Sequence, residues 1–343
     1  MASATTAYVA DILDQARRLR ELLVKHPWDV LRPVGARPDM HDRIVLTGMG
    51  ASLFALLPAW QALVRVGNQA WLIETAQLLH DLPELLTERT LVIAASQSGR
   101  SAEIVALANR RNGLGTLVAI TNDVSSPLVE RSDIVIGIES GDEHSVSTRS
   151  YVNTLAAATL AAELLSNRAS SQASFEAAAD AVADYLETWR DRVDSVKESI
   201  GLPERLYLLG RGASLAAADC GALIVKEAAK WPVEAMSSAQ FRHGPLELAD
   251  PRLTAIVFAG HNTLDRDRNL RLLKDIERYG GRGFLADIEP GNNVADLRIA
   301  NAHGIGRAVA EIVAIQLISI AIAEQTGIEP GVFRHLEKVT TVE

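Results

Sequence analysis

Four short segments carry side chains whose types and spacing could do chemistry. The first is Ser96-Gln97-Ser98-Gly99-Arg100-Ser101. It directly follows an apolar run and precedes a helical pattern, so a strand ends there, the chain turns on glycine and a helix begins. Such a junction presents free backbone N–H groups and the positive end of a helix dipole. Three hydroxyls and an amide add short-range donors, which together make a phosphate cradle. The loop has no lysine and is therefore not a nucleotide P-loop. Stripped of its context it would be a helix cap and a polar turn. The second segment is Gly48-Met49-Gly50-Ala51-Ser52-Leu53. Its opening hints at a dinucleotide fingerprint, but Leu53 stands where the third glycine belongs, and Glu74 is a poor match for the ribose-binding acid. It reads better as a helix start lining the same strand-end crevice. The third joins Val225-Lys226-Glu227-Ala228 to Gln240-Phe241-Arg242-His243-Gly244-Pro245. A carboxylate and an imidazole can divide proton transfer and ring opening on a sugar. A solvated helix face and a turn residue are the plain alternatives. The fourth is the tail, Leu336-Glu337-Lys338-Val339-Thr340-Thr341-Val342-Glu343, where a lysine ordinarily faces solvent.

These segments need elements to position them. Apolar runs at 44–46, 91–94, 117–120 and 134–136 suit strands buried on both faces of a parallel sheet. Helical patterns lie between or after them at 53–66, 102–110 and 151–165, giving the βαβ rhythm of a doubly wound fold. Residues 171–199 are rich in Ala, Glu, Asp and Arg with no strand-like run, and are expected to form one long connecting helix. A second series follows: a strand at 206–209, a helix to Lys230, a strand at 255–258, a helix at 264–279, a strand at 284–286 and a helix at 308–324. The glycine loop recurs in this second half as Gly210-Arg211-Gly212-Ala213-Ser214-Leu215, five of six residues matching. Both copies follow a strand and open a helix, which points to duplication of one α/β domain.

Composition narrows the function classes. The chain has 343 residues, 48% hydrophobic and 22% charged, so it should fold into more than one globular domain. Asp and Glu number 43 against 34 Lys and Arg, a formal charge of −9, which disfavours a nucleic-acid-coating protein. Cys220 is the single cysteine, so no intrachain disulfide and no thiolate metal cluster can form, and a reducing compartment fits. The first cation is Arg17, so no basic leader pattern opens the chain. The most apolar stretch, 312–323, falls short of the roughly 20 residues that span a bilayer. A cytoplasmic location is expected.

Taken together, Ser96-Gln97-Ser98-Gly99, Gly210-Arg211-Gly212, Lys226-Glu227, His243-Gly244-Pro245 and the tail from Lys338 resemble the sugar isomerase (SIS) family in its double-domain form. The likeness runs from about Arg43 to the last residue. It is strongest to the isomerase half of glucosamine-fructose-6-phosphate aminotransferase and to the related aminosugar-6-phosphate deaminases. The resemblance implies an α/β protein with two doubly wound parallel-sheet SIS domains in tandem, each a three-layer αβα sandwich. The expected divisions are a helical segment 1–42, SIS domains 43–168 and 203–328, a helical linker 169–202 and a catalytic tail 329–343.

The resemblance also assigns roles. Ser96, Gln97, Ser98 and Ser101 would bind phosphate. Ser52 would contact the sugar, and Val146 and Ser147, with Thr148, would hold it through the backbone. Glu227 would move a proton between C1 and C2. His243 would open the ring and reach into the neighbouring subunit's site, which implies a homodimer. Lys338 would contact the open-chain carbonyl or form an imine with it. No metal and no cofactor is implied. The expected function is a phosphosugar isomerase or deaminase acting on a hexosamine 6-phosphate. A deglycase of phosphorylated fructosamines and a non-catalytic sugar-phosphate-binding protein are the alternatives. Ala2 follows Met1, and the first strand begins near Ile44, so no glutaminase activity is expected. Three positions and one segment length depart from the family pattern. Ile224 and Cys220 stand where a lysine and a glutamate are usual, three and seven residues before Glu227. Arg100 replaces an acid, and the chain is one residue short around 145–148.

Overall fold

The computed structural model describes residues 6–25, 31, 40–110, 113, 115–289, 296–335 and 337–340. The contacts divide these into two compact units. One comprises 17–143, 147–173 and 334–343; the other comprises 1–16, 144–146 and 174–333.

In the first unit five strands pair in parallel: β1 (Arg43–Gly48), β2 (Ala70–Glu74), β3 (Thr90–Ala95), β4 (Thr116–Thr121) and β5 (Ile134–Gly137). Their order is β2-β1-β3-β4-β5. Val45 lies opposite Trp71 on one side and Val92 on the other, and Val92 lies opposite Leu117. Side chains alternate across a sheet. One face therefore presents Val45, Val92, Ala94, Leu117 and Ala119, packed with Leu78, Leu79, Ile104 and Leu107. The chain's first helices are α1 (Ala7–Lys25), α2 (Ala51–Ala55), α3 (Leu57–Arg65), α4 (Thr75–His80), α5 (Ala102–Asn109), α6 (Pro127–Arg131) and α7 (Arg149–Leu165). Leu78 and Leu79 belong to α4, Ile104 and Leu107 to α5. Helix α3 packs on α7.

The second unit repeats the plan. After α8 (Gln172–Glu187) and α9 (Trp189–Ser199) come β6 (Arg205–Gly210), α10 (Ser214–Ile224), β7 (Val233–Ser237), α11 (Ser238–Phe241) and β8 (Leu253–Phe258). Then follow α12 (Thr263–Arg278), β9 (Arg282–Asp287), β10 (Asp296–Arg298) and α13 (Arg307–Gln325). The strands are again all parallel, in the order β10-β9-β8-β6-β7. Read from the other edge, this is the arrangement of the first sheet. Two tandem doubly wound α/β domains are therefore what the chain forms.

Several expectations need correction. Strands β2, β7 and β10 lay outside the sequence reading, and all three are edge strands. An edge strand meets solvent on one side, so its composition is mixed, as in Val233-Glu234-Ala235-Met236-Ser237. The expected helix 53–66 is two helices, with Pro58 in the first turn of α3, where it has no N–H to continue the preceding helix. The expected helix 171–199 breaks at Thr188. There Arg192 lies 3.7 Å over the Tyr185 ring and donates to the Tyr185 carbonyl at 2.8 Å, so it satisfies one of the unpaired acceptors at the end of α8. Of the expected helical segment 1–42, residues 1–5, 26–30 and 32–39 lie outside the described residues, and α1 accounts for 7–25.

The apolar run 312–323 lies inside a longer helix. The segment Gly304–Gln325 has 22 residues and a mean hydropathy of 1.9, enough by length and composition to cross a membrane, yet 94% of its apolar window is buried within the fold. The sequence reading stopped at polar residues that are in fact buried and paired. Arg307 binds Asp287 at 2.8 Å, Glu311 accepts from the Ser214 hydroxyl at 2.8 Å, and Ser319 shares a 2.9 Å hydrogen bond with Tyr8. Gln316 and Gln15 exchange amide hydrogen bonds of 2.8 and 3.0 Å. The first turns of α1 thus serve α13 by satisfying its buried polar groups.

Gln316→Ala should leave the buried Gln15 amide oxygen without its donor, while the amide nitrogen keeps its 3.0 Å bond to the Ile12 carbonyl. The expected cost is about 1–3 kcal/mol, read as a lower urea midpoint. Replacing both glutamines by leucine should recover much of that loss.

Candidate functional site

The hydroxyl loop continues β3. The Ser96 N–H donates to the Ile120 carbonyl at 3.0 Å, and the Gln97 carbonyl accepts from the Asn122 N–H at 3.0 Å. The turn then closes on itself: the Gly99 N–H donates to Ser96 Oγ at 3.1 Å and the Arg100 N–H to Ser98 Oγ at 3.2 Å. Each hydroxyl accepts from the backbone and keeps its own O–H to donate. Gly99 has φ +62°, and a Cβ there would lie 2.2 Å from Ser126 Oγ, so only glycine fits. Ser101 occupies the N-cap of α5 but makes no capping bond, which leaves its hydroxyl for another partner. Gln97 and Ser98 are partly accessible.

Arg100 is held to Asp123, with Nη2 2.8 Å from Oδ2. Hydrogen bonds from Ser125, with Arg100 itself, keep the Asp123 carboxyl below its ordinary range. The glycine loop sits at the neighbouring strand end: a Cβ on Gly48 would be 2.9 Å from the Ala95 carbonyl. Ser52 is half-buried beside this junction.

The tail reaches the same region. The Ala102 N–H, in the first turn of α5, donates to the Thr340 carbonyl at 3.2 Å. Lys338 Nζ lies 2.8 Å from Glu143 Oε2. The Glu143 side chain is fully buried, that of Lys338 26% exposed. Glu143 also accepts from the Thr148 N–H (2.9 Å) and hydroxyl (3.0 Å) and from the Ser150 N–H (3.1 Å) and hydroxyl (2.6 Å). Burial alone would raise its pKa. The Lys338 charge and hydrogen bond, with those of Ser150 and Thr148, more than offset this and hold it below the ordinary value. Glu143 therefore fixes both the tail lysine and the 143–150 segment that enters α7. Val146 in that segment is buried, and Ser147 is half-buried with Oγ 3.4 Å from the Ser150 hydroxyl. Sequence reasoning missed Glu143, whose one local signal is the run of hydroxyl residues after it, Ser145, Ser147, Thr148 and Ser150. Leu336 and 341–343 of the tail lie outside the described residues.

Glu227 and His243 belong to the second unit. The helix expected to run to Lys230 changes character: α10 ends at Ile224, and Val225–Ala229 is a π-helical turn stopped by Lys230 in the left-handed conformation, φ 55°. The wider π turn brings the residue eight places back, rather than seven, behind Glu227. Burial follows that geometry. Asp219, Leu223 and Glu227 are each partly accessible, whereas Cys220 and Ile224 are fully buried. The two departures from the family pattern therefore face the core, and the residues on Glu227's face are Leu223 and Asp219. Burial pushes the Asp219 carboxyl up to about 6, against the opposing pull of Lys226. Sequence reasoning missed Asp219 because it followed the family pattern, which marks positions 220 and 224, and nothing local announces the π turn. His243 is exposed, between exposed Arg242 and exposed Gly244, and its backbone N–H closes a turn on Gln240 at 2.9 Å. Among the described residues no group of three or more His, Cys, Asp or Glu is placed to hold a metal ion.

The serine loop stands at the switch point of the β2-β1-β3-β4-β5 sheet, the usual ligand position of a doubly wound α/β domain, and the second sheet repeats that plan. The SIS domain model matches residues 40–164 and 202–276, and the chain belongs to that family. It is 25% identical over 361 residues to the glutamine–fructose-6-phosphate aminotransferase of Thermococcus kodakarensis, covering 97% of this chain and 57% of that protein. It is 28% identical over 316 residues to the same enzyme of Pyrococcus horikoshii, covering 88% and 52%. The chain thus spans about half the length of these relatives. Among solved structures, the tagatose-6-phosphate ketose/aldose isomerase of Escherichia coli superposes with TM-score 0.81 at 22% identity, covering 99% of both chains. The glucosamine-6-phosphate deaminase of Thermotoga maritima does so with 0.77 at 19%, covering 98% of this chain and all of that one. The C-terminal domain of the Francisella tularensis glucosamine-fructose-6-phosphate aminotransferase gives 0.79 at 21%, covering 97% and 99%. These likenesses show the shared fold.

A carboxylate held below its ordinary pKa stabilises the fold above that value and ceases to do so as the pH falls through it. For Glu143 the contribution should be complete above about pH 4.5 and lost on further acidification. Glu143→Gln should lower stability at pH 7 by about 1–3 kcal/mol, the worth of the weakened bonds to the charge, since the partly exposed Lys338 can turn to water. It should also flatten the acid limb of a urea-midpoint-against-pH curve. Matching acid limbs in the two proteins would remove the pair from this role.

Proposed function

We propose that this chain is a phosphosugar isomerase that deaminates a hexosamine 6-phosphate, interconverting glucosamine 6-phosphate with fructose 6-phosphate and ammonia. The observation that carries the reading lies in the first unit. A hydroxyl-rich loop opens helix α5, and the tail bonded to that same helix holds a lysine on a buried carboxylate. Membership of the SIS family and the kinship to two aminotransferases support it.

In this reading Ser96, Gln97, Ser98 and Ser101 donate to the phosphate, with the α5 N-terminus adding its dipole. Ser52, Ser147 and the backbone at Val146 hold sugar hydroxyls. His243 protonates the ring oxygen as the ring opens, and it serves the site of a partner subunit in a homodimer. Lys338, ion-paired to Glu143, presents its ammonium to the open-chain carbonyl oxygen. Glu227 takes the proton from C2 and returns it to C1. The amine nitrogen then stands as a C2 imine, which water hydrolyses to the ketose phosphate and ammonia.

The direct test measures ammonia and fructose 6-phosphate released from glucosamine 6-phosphate by micromolar protein. Ser98→Ala should raise KM by about tenfold to a hundredfold, the worth of one hydrogen bond to a charged group. Glu227→Gln should leave KM nearly unchanged and lower kcat at least ~10²-fold. Release of an amino acid from a fructosamine 6-phosphate, with none of ammonia from glucosamine 6-phosphate, would make the protein a deglycase instead. Tight binding of a hexose 6-phosphate without turnover would make it a binding protein.

Subunit sharing has its own test. His243→Ala and Glu227→Gln chains, each inactive, should complement when mixed, because a two-fold hybrid collects both defects in one site and leaves the other intact. About half the dimers are hybrids, so activity should return to roughly a quarter of the native value. No recovery despite confirmed subunit exchange would place both residues in one subunit's site.

A further inference from the structure

The second unit has a strand-end crevice of its own, and its chemistry differs from that of the first. The recurring hexapeptide differs at one position: Met49 of the first copy is Arg211 in the second. Arg211 follows β6 at the switch point of its sheet, where α/β proteins of this strand order bind ligands. It lines a cleft of about 450 Å³ with Arg242, Arg268, Arg271, Lys274 and Asp275. Five cations meet there with one carboxylate.

The cluster is built from rigid parts. Arg242 ends α11, and Arg268, Arg271 and Lys274 recur every third residue along one side of α12, all three exposed. Asn269, fully buried on the same helix, donates to the Phe258 carbonyl at 2.7 Å and accepts from the Ser238 hydroxyl at 2.7 Å. Its oxygen also receives Arg211 Nε at 3.3 Å, which orients the guanidinium. The remaining nitrogens of Arg211 have no hydrogen-bond partner among the described residues. Internal neutralisation is incomplete: Arg242 pairs with Asp275 at 2.5 Å, Arg268 stands 3.7 Å from Asp265, and Arg271 donates to the Asp267 carbonyl. Burial, then the like charges of Arg268 and Arg242, push the Arg211 pKa down against the pull of Asp265.

We infer that this cleft is a second ligand site, specific for a small molecule carrying two or more anionic groups, of the diphosphate or phosphorylated-carboxylate class. Planar guanidiniums on separate elements suit bidentate contacts to phosphate or carboxylate oxygens. Five cations exceed what a single phosphate needs, and the volume admits more than one. The serine loop of the first unit, with its neutral hydroxyl donors, is a different receptor.

The test is titration calorimetry of the full chain with inorganic pyrophosphate. The native protein should bind it, more weakly as salt rises from about 20 to 200 mM. Arg268→Gln with Arg271→Gln should weaken binding at least about tenfold while the melting temperature stays near native, since both side chains are exposed. Ser98→Ala should bind pyrophosphate as the native chain does. Three results would overturn the inference: no binding at about 10 mM pyrophosphate in low salt, equal affinity in the double variant, or loss of binding in Ser98→Ala. The last would place the anion on the serine loop. A change of oligomeric state in the double variant, with no pyrophosphate binding by the native protein, would assign the cations to carboxylates of a second copy and equally overturn it.

Discussion

A carboxylate without water must be answered, and Glu143 is answered five times over. Its two oxygens take donors from Thr148, Ser150 and Lys338, which together offset the cost of burying the charge. The consequences spread outward. The segment entering α7 is wrapped around the carboxylate, which sets the backbone at Ser147. The tail is pinned by its lysine, and with the Thr340 carbonyl on the Ala102 N–H it is tied to the helix that the serine loop opens. Tails usually fray for want of buried partners. This one is held because a buried charge needs its lysine.

The two sheets share strand order and a recurring glycine loop, yet their crevices are electrostatically unlike. The first is lined by hydroxyls and by one arginine already committed to Asp123. The second concentrates guanidiniums around Arg211. Short neutral donors select an oxyanion by distance and angle, with the helix dipole adding charge at the right place. A cluster of cations instead attracts multivalent anions broadly and is sensitive to salt. One strand plan can thus present two different sets of side chains, because the residues at a strand-end crevice reside in the loops after the strands.

The helix bearing Glu227 shows how a local backbone irregularity reassigns side chains. At α-helical spacing Cys220 and Ile224 would share its face. The π turn at Val225–Ala229 rotates them into the core and turns Asp219 and Leu223 outward. The acid on that face is then Asp219, half-buried and pushed up to about 6 by burial.

The sequence by itself determined the strands buried on both faces, since continuous apolar runs such as Leu91-Val92-Ile93-Ala94 have few other stable fates. It also determined the serine loop, because glycine at position 99 and hydroxyls around it are read from local spacing alone. It marked Glu227, His243 and Lys338 through ordered motifs, and the roles drawn for them rest on that resemblance. The tertiary structure alone decided the edge strands, whose mixed composition depends on which side meets solvent. It alone paired Lys338 with Glu143, residues 195 positions apart. Only the fold brought Arg211, Arg242 and the α12 cations together. Local preference acts over a few residues, whereas burial of a charge or convergence of like charges depends on chain segments that meet only after folding.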